Sequence, residues 1–344
     1  MKLRTGPEMT SGAPLDAHQR RITYLRVSVT DRCNLRCVYC MPEGGIDLVP
    51  MEDVLSYEEV RDIVQVAASM GLRRVRLTGG EPLARKGLVD LVGMISGLAG
   101  IEEVALSTNG IALARHAESL AKAGLSRVNV SLDTLRTGRF RRITRGGRLR
   151  DVLEGIDAAR AAGLTPVKLN VVVMRGLNDD EVVDFAHSTL DNDWQVRFIE
   201  LMPFMALENT GQQPAQSTAF VSNEAVRRQI ESTLGPLEPD SSDGNGPARY
   251  YRLPAAKGKV GFISPLTEQG FCERCNRMRL TATGKLRPCL LTDHEIDLRA
   301  AMRGGEGEGG IRRGIMAALE SKPDAHHLGD GNRPRRRRMV QIGG

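Results

Sequence analysis

The chain has 344 residues, 41% of them hydrophobic, enough to bury a large core as one large domain with an extension or as two domains. No apolar run reaches membrane-spanning length, and residues 1–20 lack the apolar stretch of a signal peptide, so a cytoplasmic chain with a flexible leader is expected. The formal charge of +6 points to an anionic partner, while aromatic residues at only 4% leave no basic–aromatic stacking surface, so nucleic acid is not the expected one.

Between residues 23 and 202 short apolar runs, at 24–29, 73–77, 103–107, 127–132, 167–173 and 195–201, alternate with helix-period segments at 57–70, 87–98, 113–123, 151–162 and 180–190. Gly71, Gly124 and Gly163 follow three of the helical segments, where a C-cap glycine belongs. The pattern predicts an α/β fold with a parallel sheet and right-handed crossovers. Six strands make a partial (β/α)6 barrel of the TIM type, although an open doubly wound sheet alternates in the same way. The motifs described below fall at the C-terminal ends of the strands, where barrels place their active sites, which suits the barrel. After residue 202 the alternation stops. Residues 205–220 and 236–248 read as loops, 303–310 as a Gly/Glu spacer, 311–321 as a short helix and the last twenty residues as irregular. The basic run Arg333, Arg335, Arg336, Arg337 and Arg338 reads as a solvated tail. The expected organisation is a leader to residue 20, a barrel over 21–202, a further region over 203–321 and a tail over 322–344.

The six cysteines form two groups of three, a clustering that reads as metal ligation in a reducing compartment. Cys33, Cys37 and Cys40 are spaced C-x3-C-x2-C, with Tyr39 just before the last. Three thiolates this close can hold three corners of a [4Fe–4S] cluster and leave the fourth iron open. Zinc sites favour paired C-x2-C units instead. The segment Gly79-Gly80-Glu81-Pro82 ends the second strand; its glycines let backbone approach a ligand, and Glu81 supplies an acceptor for an ammonium group. Cys272, Cys275 and Cys289 again leave one coordination position open, for an iron–sulfur cluster or for zinc with His294 as fourth ligand. Arg277 and Arg279, two apart on an extended segment, point to one side and make a fork for phosphate oxygens.

The first cysteine group with the Gly79–Pro82 element resembles the radical S-adenosylmethionine (SAM) superfamily, in which SAM chelates the open iron. From about residue 20 onward the chain resembles one family within it, the molybdenum cofactor biosynthesis protein A or GTP 3′,8-cyclase family. The matching pieces are residues 25–33, 79–82, 129–131, 167–170, 198–202, 272–279 and the final Ile342-Gly343-Gly344. The resemblance implies two [4Fe–4S] clusters, one on Cys33, Cys37 and Cys40 and an auxiliary one on Cys272, Cys275 and Cys289 whose open iron binds guanine. SAM would contact Tyr39, Gly80, Ser131 and Met202. GTP would contact Arg26, Arg76, Ser107, Lys168, Arg277, Met278 (through its backbone) and Arg279. Ser107 departs from the family's usual threonine but keeps the hydroxyl. Gly343 and Gly344 would enter the catalytic pocket. The implied reaction is the first step of molybdenum cofactor biosynthesis. A 5′-deoxyadenosyl radical takes the C3′ hydrogen of GTP, and the ribose radical attacks guanine C8 to give 3′,8-cyclo-7,8-dihydro-GTP. Implied partners are an external electron donor, cyclic pyranopterin monophosphate synthase as recipient of the product and, in a homodimer, a second copy of the chain. Two other readings are another auxiliary-cluster radical SAM enzyme acting on peptides or sulfatases, and a metal-bound nucleic-acid-binding protein.

Overall fold

The computed structural model describes residues 12–203, 218–240, 246–328, 334 and 336–343. The chain runs β1 (Tyr24–Ser28), α1 (Tyr57–Ser69), β2 (Arg74–Thr78), α2 (Leu88–Ser96), β3 (Glu103–Thr108), α3 (Ala117–Lys122) and β4 (Arg127–Ser131). It continues through α4 (Thr137–Thr144), α5 (Leu149–Ala161), β5 (Lys168–Val173), α6 (Val182–Asp191), β6 (Gln195–Glu200) and α7 (Asn223–Leu234). The remainder is β7 (Glu238–Pro239), β8 (Arg249–Arg252), β9 (Lys259–Ile263), β10 (Arg277–Leu280), β11 (Lys285–Arg287), β12 (Ile296–Asp297), α8 (Leu298–Ala301) and α9 (Gly307–Glu320).

Strands β1 to β6 pair in parallel in chain order, as the alternation predicts. Each crossover carries a helix whose apolar face covers the sheet. In α1 that face is Val60, Ile63, Val64 and Ala67, and Ser56 starts the helix with a capping box to Glu59. Gly71 ends the α1 turn at φ +97°, where a Cβ would sit 2.8 Å from the Gly12 carbonyl oxygen. That contact belongs to a second finding. Residues 12–20 are not a loose leader: Asp16 and Arg20 are buried, and the Ala17 N–H donates to the Leu319 carbonyl. Residues 1–11 lie outside the described residues.

The alternation does not stop at residue 202. The α7 helix leads into β9, which pairs in parallel with β6, and β10 pairs in parallel with the other edge, at β1. Eight parallel strands therefore stand in the order β10-β1-β2-β3-β4-β5-β6-β9, with short antiparallel pairs beyond each end. Composition hid the extra unit, because α7 is mostly polar and buries only Asn223, Val226 and Ile230. Glycine hid the start of α9 in the same way. The helix begins at Gly307, inside the expected spacer, and is held by Ile311, Ile315, Ala318 and Leu319. The α4 helix was also unexpected, since five of its eight residues are arginine or threonine around buried Phe140 and Ile143. Of the expected loops, 204–217 and 241–245 lie outside the described residues. Among the described residues no helix is long and apolar enough to cross a membrane.

All eight parallel strands contribute side chains to one concavity, so the sheet curls around it. The concavity holds about 1820 Å³ counting its open mouth.

Candidate active site

The first cysteine group lies in the loop after β1, and that loop is braced on both sides. From the β2 side, the Gly80 N–H donates to the Thr30 carbonyl (2.7 Å) and the Glu81 N–H to the Arg32 carbonyl (2.8 Å). A Cβ on Gly79 would lie 2.6 Å from Thr30 O, and one on Gly80 would lie 2.3 Å from Arg32 O. The two glycines are therefore required by the backbone of the cysteine loop itself. Glu81 is likewise committed. Its Oε1 accepts from Thr108 Oγ1 and Leu83 N, and its Oε2 from Asn109 N, so it fastens β2 to β3 rather than facing the cavity. From the α4 side, Arg36 N donates to Thr144 O and Val38 N to Ile143 O, both at 2.9 Å.

Cys33, Cys37 and Cys40 all open onto the cavity. Burial, followed by the other thiols and Asp133, pushes Cys40 up to about 12 and Cys37 well above its ordinary range. Three half-buried thiols this close do not ionise together unless a cationic group holds them, which is what an iron–sulfur cluster supplies. The Leu35 N–H already donates to Cys33 Sγ at 3.4 Å. Beside them the Tyr39 hydroxyl donates to Asp133 Oδ2 (2.8 Å), and Val172 N donates to Oδ1. Ser131, Gly80 and Met202 line the same wall.

Cys272 and Cys275 lie between β9 and β10, and Cys289 follows β11; all three open onto the opposite part of the cavity. Leu291 N donates to Cys289 Sγ at 3.4 Å, repeating the Leu35–Cys33 contact. Burial opposes ionisation of Cys275, but Arg277 and Lys322 outweigh it and bring the thiol down to about 6. His294 does not join this group. Among the described residues no three His, Cys, Asp or Glu side chains converge on one point as a single zinc ion requires.

Between the two groups stands a cage of cations. Arg279, Arg26 and Arg76 are register partners across β10, β1 and β2. Arg277 joins them, and Arg197 closes the β6 side. Lys168 lies one inward position before Asn170 on β5, just outside the cavity lining, with its Nζ donating to Tyr250 Oη at 3.3 Å. Burial first, and then the neighbouring positive charges, lowers Lys168 to about 6, Arg279 to about 9 and Arg26 well below its usual value. Arg76 falls to about 10 through burial above all, with Arg127 and Arg197 adding to the fall. Among the described residues Asp133 is the one carboxylate lining the cavity. Arg76 Nε, Arg197 Nε and Nη2, Ser107 Oγ and Asn170 Oδ1 are buried with no hydrogen-bond partner. Buried donors and uncompensated positive charge call for an anionic, polar ligand.

Arg197 and Asn170, which line the cavity, and Tyr250, which bonds Lys168 behind it, are residues that sequence reasoning missed. Arg197 had a signal, a buried charge between the apolar Val196 and Phe198 of β6. Met278 turns the other way: its side chain is 1% exposed and packs in the core while Arg277 and Arg279 face the cavity.

The end of the described chain docks into this cage. Val340 and Ile342 are buried, and Ile342 packs with Leu291, Met202 and Cys289. Val340 also offers its backbone N–H to Cys40. The Gly343 carbonyl accepts from Arg26 Nη2 (3.0 Å) and Arg279 Nη1 (3.3 Å). Gly343 has φ +75°, and a Cβ there would be 2.6 Å from Thr78 Cγ2. Part of the arginine run is fastened rather than solvated: Arg337 donates to both oxygens of Glu295 (2.6 and 3.0 Å), which also pairs with fully buried Arg287. Arg333, Arg335 and Gly344 lie outside the described residues.

This arrangement defines a radical SAM protein. Residues 27–188 match the radical SAM superfamily, and residues 194–328 match the family described as Molybdenum Cofactor Synthesis C. The fold resembles SuiB of Streptococcus suis bound to S-adenosylmethionine, with TM-score 0.56, 15% identity, 85% of this chain and 68% of that one covered. It also resembles native anSMEcpe with bound AdoMet, with TM-score 0.53, 14% identity, and 89% and 82% covered. A GTP 3′,8-cyclase of Pelotomaculum thermopropionicum is 52% identical over 96% of this chain and 99% of its own. One from Heliobacterium modesticaldum is 53% identical over 96% and 100%. The chain belongs to the GTP 3′,8-cyclase family of radical SAM enzymes, which use SAM and [4Fe–4S] clusters.

Proposed function

We propose that this chain cyclises GTP to 3′,8-cyclo-7,8-dihydro-GTP, with SAM on the Cys33, Cys37 and Cys40 side and GTP between the cations and the Cys272, Cys275 and Cys289 side. The observation that carries this assignment is the single cavity: both thiol groups open onto it, and a nearly carboxylate-free cage of cations lies between them. When bound, the first cluster and SAM supply a 5′-deoxyadenosyl radical. The protein's share is placement and exclusion. Arg26, Arg76, Arg197, Arg277 and Arg279 neutralise and orient the triphosphate and ribose through charge-assisted hydrogen bonds, with Lys168 behind them. Ser107 Oγ and Asn170 Oδ1, both lacking partners, take polar groups of the nucleoside. Tyr39, Gly80, Ser131 and Met202 line the SAM side. The Gly343 carbonyl fixes the Arg26 and Arg279 guanidiniums, and the apolar residues before it close the cavity to water.

In the same reading β1 to β6 form a partial barrel over residues 21–202, and residues 203–321 carry the auxiliary cluster. The enzyme works in the cytoplasm, takes its electron from an external donor and passes its product to cyclic pyranopterin monophosphate synthase. The test is anaerobic turnover of reconstituted protein with SAM, GTP and a reductant, measuring 5′-deoxyadenosine and cyclised nucleotide together. Both should accumulate in step. 5′-Deoxyadenosine without cyclised nucleotide from the unaltered chain would overturn the substrate assignment.

A further inference from the structure

Lys322, just past α9, is a lysine buried to 3% exposure beside the second cysteine group. Its Nζ donates to the Arg277 carbonyl at 2.9 Å and to the Pro288 carbonyl at 2.6 Å. Arg277 lies two residues after Cys275, and Pro288 immediately precedes Cys289. One ammonium group therefore joins the two segments that bring these cysteines together from either side of β10 and β11. The next two residues reach the third cysteine. The carbonyls of Pro323 and Asp324 accept from the Arg20 guanidinium (2.6 and 2.8 Å), and Arg20 Nη1 also donates to the Cys272 carbonyl at 3.0 Å. Residues 322–324 are thus a hub to which all three cysteine-bearing segments are tied.

The charge of this hub is not balanced by any carboxylate. Among the described residues no carboxylate pairs with Lys322, and the cations Arg277 and Arg279 stand nearby. Burying an ammonium group in a dry site is costly unless a negative group faces it. Two carbonyls satisfy two of its three N–H bonds but carry no formal charge. A cluster held by three thiolates supplies the missing negative charge at this spot.

We propose that Lys322 is the clasp and counter-ion of the auxiliary iron–sulfur cluster, holding the Cys275 and Cys289 segments in ligating position and raising the cluster's reduction potential. The inference rests on the reading that Cys272, Cys275 and Cys289 ligate a cluster. A positive charge beside a redox centre favours its reduced, more negative form, so removing that charge lowers the potential.

The experiment uses the full-length chain with Cys33, Cys37 and Cys40 replaced by alanine, so that only the auxiliary cluster's signal remains after anaerobic reconstitution with iron and sulfide. Iron and sulfide per chain and the midpoint potential are measured for this parent and for its Lys322→Arg, Lys322→Gln and Lys322→Met forms. Glutamine keeps donors for both carbonyls without the charge, so Lys322→Gln should retain the cluster at a lower potential. Lys322→Met should lose the cluster several-fold, and Lys322→Arg should hold it near the parental potential. Parental iron content and potential in both Lys322→Gln and Lys322→Met would overturn the proposal. If Lys322→Met does not fold, Lys322→Gln decides, and a parental potential there removes the counter-ion role. A parent that binds no iron or sulfide would instead overturn the cluster reading itself.

Discussion

The two cysteine groups share a geometry and differ in charge. Each presents three thiols to the cavity, and each has a backbone N–H two residues on that donates to a cysteine sulfur at 3.4 Å. Around the first group burial above all, and then the carboxylates Asp133 beside Cys37 and Cys40 and Glu81 beside Cys33, disfavours the thiolates. Around the second stand Arg277 and Lys322, which pull Cys275 down to about 6. Similar thiol sets in opposite fields suit the different tasks proposed for them. A negative surround favours the oxidised state of a cluster and makes it a stronger reductant once reduced, as SAM cleavage needs. A positive surround suits a site that must also receive an anionic nucleotide.

The largest effect that would sharpen this contrast comes from removing each group in turn. Replacing Cys33, Cys37 and Cys40 by alanine should abolish 5′-deoxyadenosine formation and leave the auxiliary iron. Replacing Cys272, Cys275 and Cys289 should leave SAM cleavage but remove cyclised nucleotide. Loss of both activities in both variants, with iron retained at the untouched group, would erase the distinction.

A smaller effect is expected from the cations. Charge-assisted hydrogen bonds contribute roughly 1.5–3 kcal/mol each, so Arg279→Ala and Arg197→Ala should each raise the GTP KM about tenfold or more. Iron content and SAM binding should stay at the parental level. A parental KM in either variant would take that residue out of the nucleotide site.

Gly343→Ala should be felt through coupling. Its φ of +75° and the 2.6 Å approach to Thr78 Cγ2 leave no room for a methyl group. The carbonyl that bridges Arg26 and Arg279 must then shift, and the yield of cyclised nucleotide per 5′-deoxyadenosine should fall. Arg337→Ala, which frees Glu295 from the tail, should lower that yield less. An unchanged yield in both would leave the tail without a role in coupling.

The smallest effect is on pH dependence. Lys168 is lowered from 10.5 to about 6, so in the empty protein it is neutral at pH 7.5 while the unfolded chain holds it charged. The unfolded state therefore binds more protons between these values, and stability rises with pH across that window. Lys168→Met should raise the melting temperature of the nucleotide-free protein near pH 7, with the gain fading above pH 10. GTP should recharge Lys168, so binding near pH 7.5 should take up protons, and calorimetry in buffers of different ionisation enthalpy should show this uptake lost in Lys168→Met. Equal uptake in parent and variant would place the titrating group elsewhere.

The N-terminal half was legible because its signals are local. Apolar runs of strand length, glycine C-caps at Gly71, Gly124 and Gly163, and cysteines within eight residues need no knowledge of distant chain. The C-terminal half was less legible because its signals are long-range. β9 and β10 are short and reveal themselves as parallel only by adding to opposite edges of a sheet built much earlier. Arg20 reads as part of a polar leader until it meets Cys272, Pro323 and Asp324. Lys322 carries no motif at all. Gly79 and Gly80 were read as sites of ligand approach, whereas their close neighbours are Thr30 and Arg32, a packing constraint that spacing cannot show.

The central claim is a division of labour across one cavity, with SAM cleavage at one cysteine group and nucleotide placement at the other. It is tested most directly by the ratio of cyclised nucleotide to 5′-deoxyadenosine in the anaerobic Cys272→Ser, Cys275→Ser, Cys289→Ser variant. The account predicts 5′-deoxyadenosine with a ratio near zero. A ratio equal to that of the unaltered chain would contradict it.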